Sequence, residues 1–167
     1  MRVTRALLWV CVFAWGVLLG GKLFDLLVIA HAWSASPPES LTLLPYGPRY
    51  PINPGNFFFP SSVALLVCST AALISAWRTP ATFRILLSLS AAMMLAILVF
   101  TIVWFWPHNA ALRIAAQSAA HSDADKAAIV RMARRWVAFD WLRVLLGSVG
   151  FVASAHALNT SFRPTSK

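Results

Sequence analysis

Residues 6–30 read ALLWVCVFAWGVLLGGKLFDLLVIA, an apolar run interrupted only by Lys22 and Asp25. About 20 apolar residues suffice for a helix to cross some 30 Å of hydrocarbon, so this stretch is long enough to span a bilayer. It carries two ions in its last third. Each ion buried at the bilayer centre costs roughly 2.5–3.5 kcal/mol on insertion scales. A chain that keeps such a pair has either matched it internally or uses it.

The rest of the chain agrees with a membrane setting. Of its 167 residues 59% are hydrophobic and only 11% charged, where a soluble domain carries about 25% charge. Segments 57–77, 84–106 and 136–158 are apolar enough to join 6–30. The expected fold is all-α, a four-transmembrane-helix bundle, with residues 1–167 forming a single integral membrane domain. It would be multi-pass, in the cell or inner membrane, with lipid as its surrounding partner. Arg2 and Arg5 ahead of an apolar run resemble a signal peptide. The run is longer than the 7–15 residues of a signal core, so a retained first span is the expectation.

The net charge of +9 raises nucleic acid as a partner. The basic residues are scattered and flank the apolar segments, where they set membrane orientation, so no nucleic-acid partner is expected. Leaving aside Lys22 and Arg143, six lie on each side of the four spans, and the balance favours neither orientation. Cys11 and Cys68 both fall inside apolar segments with no CxxC spacing, which makes them small core residues.

The connections differ. Residues 31–60 hold seven of the ten prolines (Pro37, Pro38, Pro45, Pro48, Pro51, Pro54 and Pro60), a density that forbids continuous helix. With Tyr46, Tyr50, Phe57, Phe58 and Phe59 this long Pro-rich loop between the first two helices is either an ordered cap over the bundle end or an interfacial aromatic belt. Residues 78–83 make a tight turn at the opposite end. Residues 107–135 are polar but helix-favouring. Ser122-Asp123-Ala124-Asp125 has the form of a helix N-cap with acids in the first turn. The third helix is therefore expected to run past Pro107 to about Ala120 and the fourth to begin near Asp123, a helical hairpin extension between helices 3 and 4.

Four spans bring the end of the first helix, the end of the third and the start of the fourth to one membrane face. That gathers Asp25 and His31, His108 and Asn109, and Asp140 and Arg143 in one half of the bundle. The opposite half has His156 as its exception. Lys22 and Asp25, and likewise Asp140 and Arg143, are three residues apart and share a helix face; at this depth they must point inward, because lipid cannot satisfy them. Two readings stay open: structural ion pairs that lock the packing, or a polar pocket roofed by the Pro-rich loop. His31 and His108 with Asp25 form a weak metal candidate, since no tight ligand spacing supports it. His121 reads as a hairpin-turn residue. Trp104, Trp106, Trp136 and Trp141 at the same level suit an interface belt or an aromatic wall for a planar ligand.

Gly20-Gly21-Lys22-Leu23-Phe24-Asp25 followed by Trp33-Ser34-Ala35-Ser36-Pro37-Pro38 resembles the start of the DUF1772, or anthrone oxygenase, family. Pro107-x-Asn109-x-x-Leu112 resembles a motif that family carries after its third helix, and Trp136 with Asp140-Trp141-x-Arg143 resembles one on its fourth. The likeness spans 20–147 in the family's element order. It departs at His31, where the family commonly has Pro, at Asp25, where Glu is the commoner acid, and at Phe24, which replaces a frequent Tyr. The resemblance implies a small four-helix membrane protein; some members are linked to oxidation of anthrones to anthraquinones, with no metal and no organic cofactor. It includes an acid at Asp25 and no fixed residue at Lys22, which is left to neutralise or snorkel.

The function these readings support is an oxygenase-like enzyme acting on a small apolar aromatic molecule, anthrone- or quinol-like. Asp25 or Asp140 would be the base, Arg143 and Asn109 would stabilise the developing oxyanion, and His108 would shuttle the proton. The alternative is a non-enzymatic membrane accessory protein that binds a lipid, quinone or partner helix. A transporter fits worst, because polar groups confined to one half make no through-path unless a homo-oligomer supplies the rest.

Overall fold

On the first helix, burial follows a stripe that alternates steps of four and three: Thr4, Leu8, Cys11, Trp15 and Leu18, continued by half-buried Lys22 and buried Asp25. That spacing keeps one narrow face toward neighbouring helices. Trp9, Val10, Phe13, Val17, Phe24, Leu27 and Val28 point outward and are exposed. An apolar exterior around a face of mixed polarity is the arrangement that lipid demands.

The structure is a computed structural model that describes residues 2–46, 52–118 and 122–162. Four long helices cross the apolar thickness: α1 (Arg2–Ser34), α2 (Gly55–Ser75), α3 (Ala81–Gln117) and α4 (Asp123–Thr160). By length and apolarity each suits a membrane span, and the chain is an all-α, multi-pass membrane protein. α4 packs against α3 and α1, and α2 against α1 and α3. His121, Tyr50, Arg49, Pro48 and Pro51 lie outside the described residues.

Two helices are not uniform. α1 widens into a π-helical turn over Asp25–Ala30, and α3 does so over Thr101–Phe105. Such turns accommodate one extra residue and recur at functional sites. In α1 the wide turn buries both Asp25 and its neighbour Leu26, then Ala30, before the stripe resumes at Trp33. In α3 the π turn directly precedes Pro107. Proline lacks an N–H and clashes with the carbonyl four residues earlier, here Val103 within the widened turn. This is how the helix passes Pro107 and reaches Gln117. α4 starts on a reciprocal capping box: the Ser122 hydroxyl accepts from the Asp125 amide, and the Asp125 carboxylate accepts from the Ser122 amide, which satisfies two otherwise orphaned donors.

The stretch between α1 and α2 is shorter than the proline count suggests, since α1 continues to Ser34 and α2 begins at Gly55. Between them a short 3₁₀ turn, Glu39–Leu43, is tied back by the Ser40 hydroxyl donating to the Trp33 carbonyl at 2.7 Å. It buries Leu41 and Leu44 in one apolar cluster with Trp33 and Phe105, with Leu112 from the far end of α3, and with Ile129, Ala133 and Trp136 of α4. The described part of the loop is thus an ordered cap on the helical hairpin.

The opposite half is closed by small residues and short polar links. Trp15 Nε1 donates to Ser90 at 3.0 Å, Ser90 pairs with Ser154 at 2.7 Å, and Ser75 donates to Thr4 at 3.0 Å. Gly150 lies directly under the Trp15 indole, which its missing Cβ makes room for.

Leu112 is fully buried beneath the cap. Leu112→Ala is expected to destabilise the protein by about 2–5 kcal/mol. A lowered midpoint in detergent, with faster proteolysis between residues 35 and 54, would show it.

Candidate functional site

Helix geometry alone assembles the charged groups. Lys22 and Asp25 lie one turn apart on α1, Asp140 and Arg143 one turn apart on α4, and α1 packs on α4. Lys22 Nζ lies 2.5 Å from Asp25 Oδ2 and 3.1 Å from Asp140 Oδ2. Arg143 meets the other oxygen, Asp140 Oδ1, through Nε at 2.8 Å and Nη2 at 2.5 Å. The result is one chain of alternating charge, Asp25–Lys22–Asp140–Arg143, with two cations and two anions.

Its members are shielded to different degrees. The Asp140 side chain is wholly buried and that of Asp25 almost so, while Lys22 and Arg143 keep 12% and 10% exposure. The acids therefore stand behind and the cations in front. Neither Asp140 Oδ2 nor Arg143 Nη2 has a well-directed hydrogen bond, so those two contacts act by charge and proximity.

The surroundings hold the cations without competing for their charge. Arg143 Nη1 donates to Thr101 Oγ1 at 3.2 Å, from the π turn of α3, and its guanidinium lies 3.3 Å from the centre of the Phe105 ring. Lys22 Nζ stands 5.1 Å from the Phe58 ring centre and 5.6 Å from that of Trp136. Aromatic faces attract cations most when water is excluded.

A cavity of about 100 Å³ opens beside the cations. Lys22, Arg143, Thr101, Asn109, Tyr46 and Ser62 give it polar points, and Trp15, Leu18, Phe58, Phe59, Met94, Leu98 and Trp106 give it apolar walls. Neither acid reaches the wall. Asn109 Oδ1 accepts from Trp136 Nε1 at 2.7 Å. An indole nitrogen can only donate, so the amide oxygen must face Trp136 and the NH₂ group is left for the cavity. Burial, reinforced by the charge of Asp25, pushes the Tyr46 phenol above its ordinary pKa of 10.0. It stays a neutral donor throughout the physiological range.

Among the residues singled out in the sequence, Asp140 and Arg143 pair directly, and Asp25 joins them through Lys22, the link between the two acids. Asn109 reaches the cavity by way of Trp136. His108 does not join them: its Nδ1 pairs with the Trp104 carbonyl at 2.7 Å and its ring stacks on Trp104 at 3.9 Å. His31 is exposed at the end of α1 and His156 at the far end of α4. With His31 outside and Asp25 inside, the suggested metal trio does not converge, and among the described residues no three His, Cys, Asp or Glu side chains cluster for a metal. Of the four tryptophans, Trp136 is buried in the core, Trp106 edges the cavity, Trp104 backs His108, and Trp141 faces outward.

Lys22 was undervalued by sequence reasoning, although it stands four residues after Leu18 on the buried stripe. Tyr46, Thr101 and Trp15 went unnoticed as site residues. Thr101 sits one turn before Phe105 on the inner face of α3, which is the only signal it carries.

Residues 51–153, more than half the chain, match the family model described as Anthrone oxygenase, and the chain belongs to that family. The matched region contains Thr101, Asn109, Asp140 and Arg143; Lys22 and Asp25 precede it. No curated protein and no solved structure is significantly similar to the chain.

The charge balance yields a test of stability. Removing one partner of a buried ion pair strands the other and costs about 3–5 kcal/mol. Lys22→Met and Asp25→Asn should each destabilise on that scale. The double variant, which removes a cation and an anion together, should lose less than the sum. Denaturation midpoints in one detergent, arranged as a double-mutant cycle, measure the difference.

Proposed function

We propose that the protein is an oxygenase-like enzyme of the cell or inner membrane that oxidises an anthrone-type substrate, a planar apolar aromatic carrying one ring carbonyl. The observation that carries this reading is the pair of cations, Lys22 and Arg143, presented to a mostly apolar, aromatic-walled cavity in a member of the anthrone oxygenase family. Apolar walls select a flat hydrocarbon frame. Two cations at one side select the form of that frame that has lost a proton.

In an anthrone the methylene opposite the carbonyl is acidic, because its conjugate base spreads negative charge onto the carbonyl oxygen. Lys22 and Arg143, with the Asn109 NH₂ and the Tyr46 phenol, supply donors for that oxygen. Fixed charges and dipoles in a dry site stabilise a developing oxyanion far better than water does. Asp25 takes the proton through Lys22: the ammonium passes a proton to Asp25, and the resulting amine accepts one from the substrate's enol tautomer, whose acidic hydrogen sits on that same oxygen.

The bound anion is electron-rich and reacts with dioxygen, the oxidant. A C–O bond forms at the deprotonated carbon and gives a peroxide, which is protonated. Loss of the second hydrogen from that carbon then breaks the O–O bond. One oxygen atom remains as the new carbonyl and the other leaves as water, so anthrone and dioxygen become anthraquinone and water. His108, tied to its own helix, has no part in this sequence.

Purified protein in nanodiscs, given anthrone with dioxygen, should form anthraquinone faster than the buffer does. Asp25→Asn is expected to lower that rate by about 10²–10⁴, the usual worth of a positioned proton acceptor. Arg143→Met should lower it by about 10²–10³, the usual worth of an oxyanion donor. Unchanged turnover in both folded variants would refute the mechanism. Tight binding of anthraquinone with no turnover in the wild type would favour the accessory binding protein instead.

A further inference from the structure

The cavity has a floor as well as a charged side, and one residue makes it. Trp15, Leu18, Leu19 and Lys22 all line the cavity from α1. They follow the spacing that puts side chains on one helix face. Seven residues separate Trp15 from Lys22, a rise on the order of 10 Å. The cations, with Tyr46 and Asn109 beyond them, make the polar part of the cavity, and the indole lies toward its apolar end with Leu18, Met94 and Leu98.

The indole is held there on purpose-built terms. Its Nε1 donates to Ser90, which is paired with Ser154; both serines are almost wholly buried, so the hydrogen bonds fix the ring in a dry environment. On the α4 side the ring lies against Gly150. A Cβ there would stand 2.7 Å from Cη2 and 2.9 Å from Cε2 of the indole, closer than carbon atoms pack. Only glycine lets Trp15 lie flat in this position. With α4 in contact behind it and the nitrogen anchored to α3, the free space next to the ring is the cavity itself.

We propose that Trp15 is the length gate of the binding pocket. It limits occupants to planar aromatic systems that fit between the cations and the indole, and Gly150 sets how far back the gate stands. The inference rests on the reading of the cavity as a site for flat aromatic molecules and extends it to which lengths are admitted. A smaller residue at 15 opens the volume of the indole, bounded by Gly150, Ser90 and Ser154, to an occupant that reaches further along the axis of its carbonyl. A larger residue at 150 pushes the indole forward and shortens the site. The two changes move the length optimum in opposite directions, which a general loss of packing would not do.

Binding decides this without any need for turnover. 9-Fluorenone, anthraquinone and 10-benzylideneanthrone each carry a ring carbonyl and form a series of increasing extent along the axis of that carbonyl. Dissociation constants for each, measured by calorimetry on detergent-purified wild type, Trp15→Val and Gly150→Ala, give the length profile. Wild type should bind anthraquinone about tenfold or more tightly than 10-benzylideneanthrone, within the range a shaped apolar pocket achieves. Trp15→Val should erase or reverse that preference. Gly150→Ala should shift preference by a similar factor toward fluorenone. Should one variant fail to fold, the direction of shift in the other decides. Anthraquinone binding with the wild-type order unchanged in the folded variants would overturn the gate and leave the aromatic site standing. Failure of the wild type to bind any of the three would overturn both.

Discussion

The fold is organised around one electrostatic requirement: four ions inside an apolar bundle must cancel. Lys22 meets it by sitting between the two acids, and Arg143 by closing the far end of the chain. Neither helix could bury its own pair as cheaply alone. Each i, i+3 pair is formed by local geometry, and the contact from Lys22 to Asp140 then joins α1 to α4. The remaining features follow from keeping that chain dry. Phe105, Phe58 and Trp136 surround the cations with ring faces, and the cap over Leu41, Leu44 and Leu112 closes the end above them.

The order of the ions has a chemical sense. Acids at the back and cations at the front turn a neutral cluster into a surface that presents positive charge to the cavity. A neutral cluster of reversed order would present carboxylates and favour a cationic occupant. The same four residues can thus serve packing and ligand choice together. The two readings of the cluster, structural lock or pocket, describe different sides of one arrangement.

Much of this was legible in the chain because it depends on local rules. Span number, the hairpin past Pro107 and the helix N-cap at Ser122 are consequences of hydropathy, of helix-favouring composition and of a short-range hydrogen-bond motif. The meeting of Asp25 with the α4 pair follows from topology. What escaped notice depends on three-dimensional facing. Lys22 and Asp25 are equally plausible inward residues by position, and only the placement of Asp140 makes the lysine the bridge. His108 is three residues past Phe105, near enough in sequence to suggest a role, yet its ring turns onto Trp104. Tyr46 comes from a loop whose path no periodicity constrains. Trp15 looks like any buried aromatic until Gly150, in another helix and 135 positions away, is seen to lie beneath it.

The π turn in α1 has an effect on the chain's history of insertion and deletion. An α-helix turns about 100° per residue, so the extra residue accommodated between Asp25 and Ala30 sets the heading of everything after it. Trp33 meets the edge of Trp136 at 5.1 Å only because of that offset. Loss of one residue here would leave Lys22 and Asp25 in place but swing Trp33 and the start of the cap to another side of the helix. In descendants of this sequence, length between Asp25 and Trp33 should be held more strictly than the identities of the side chains within it.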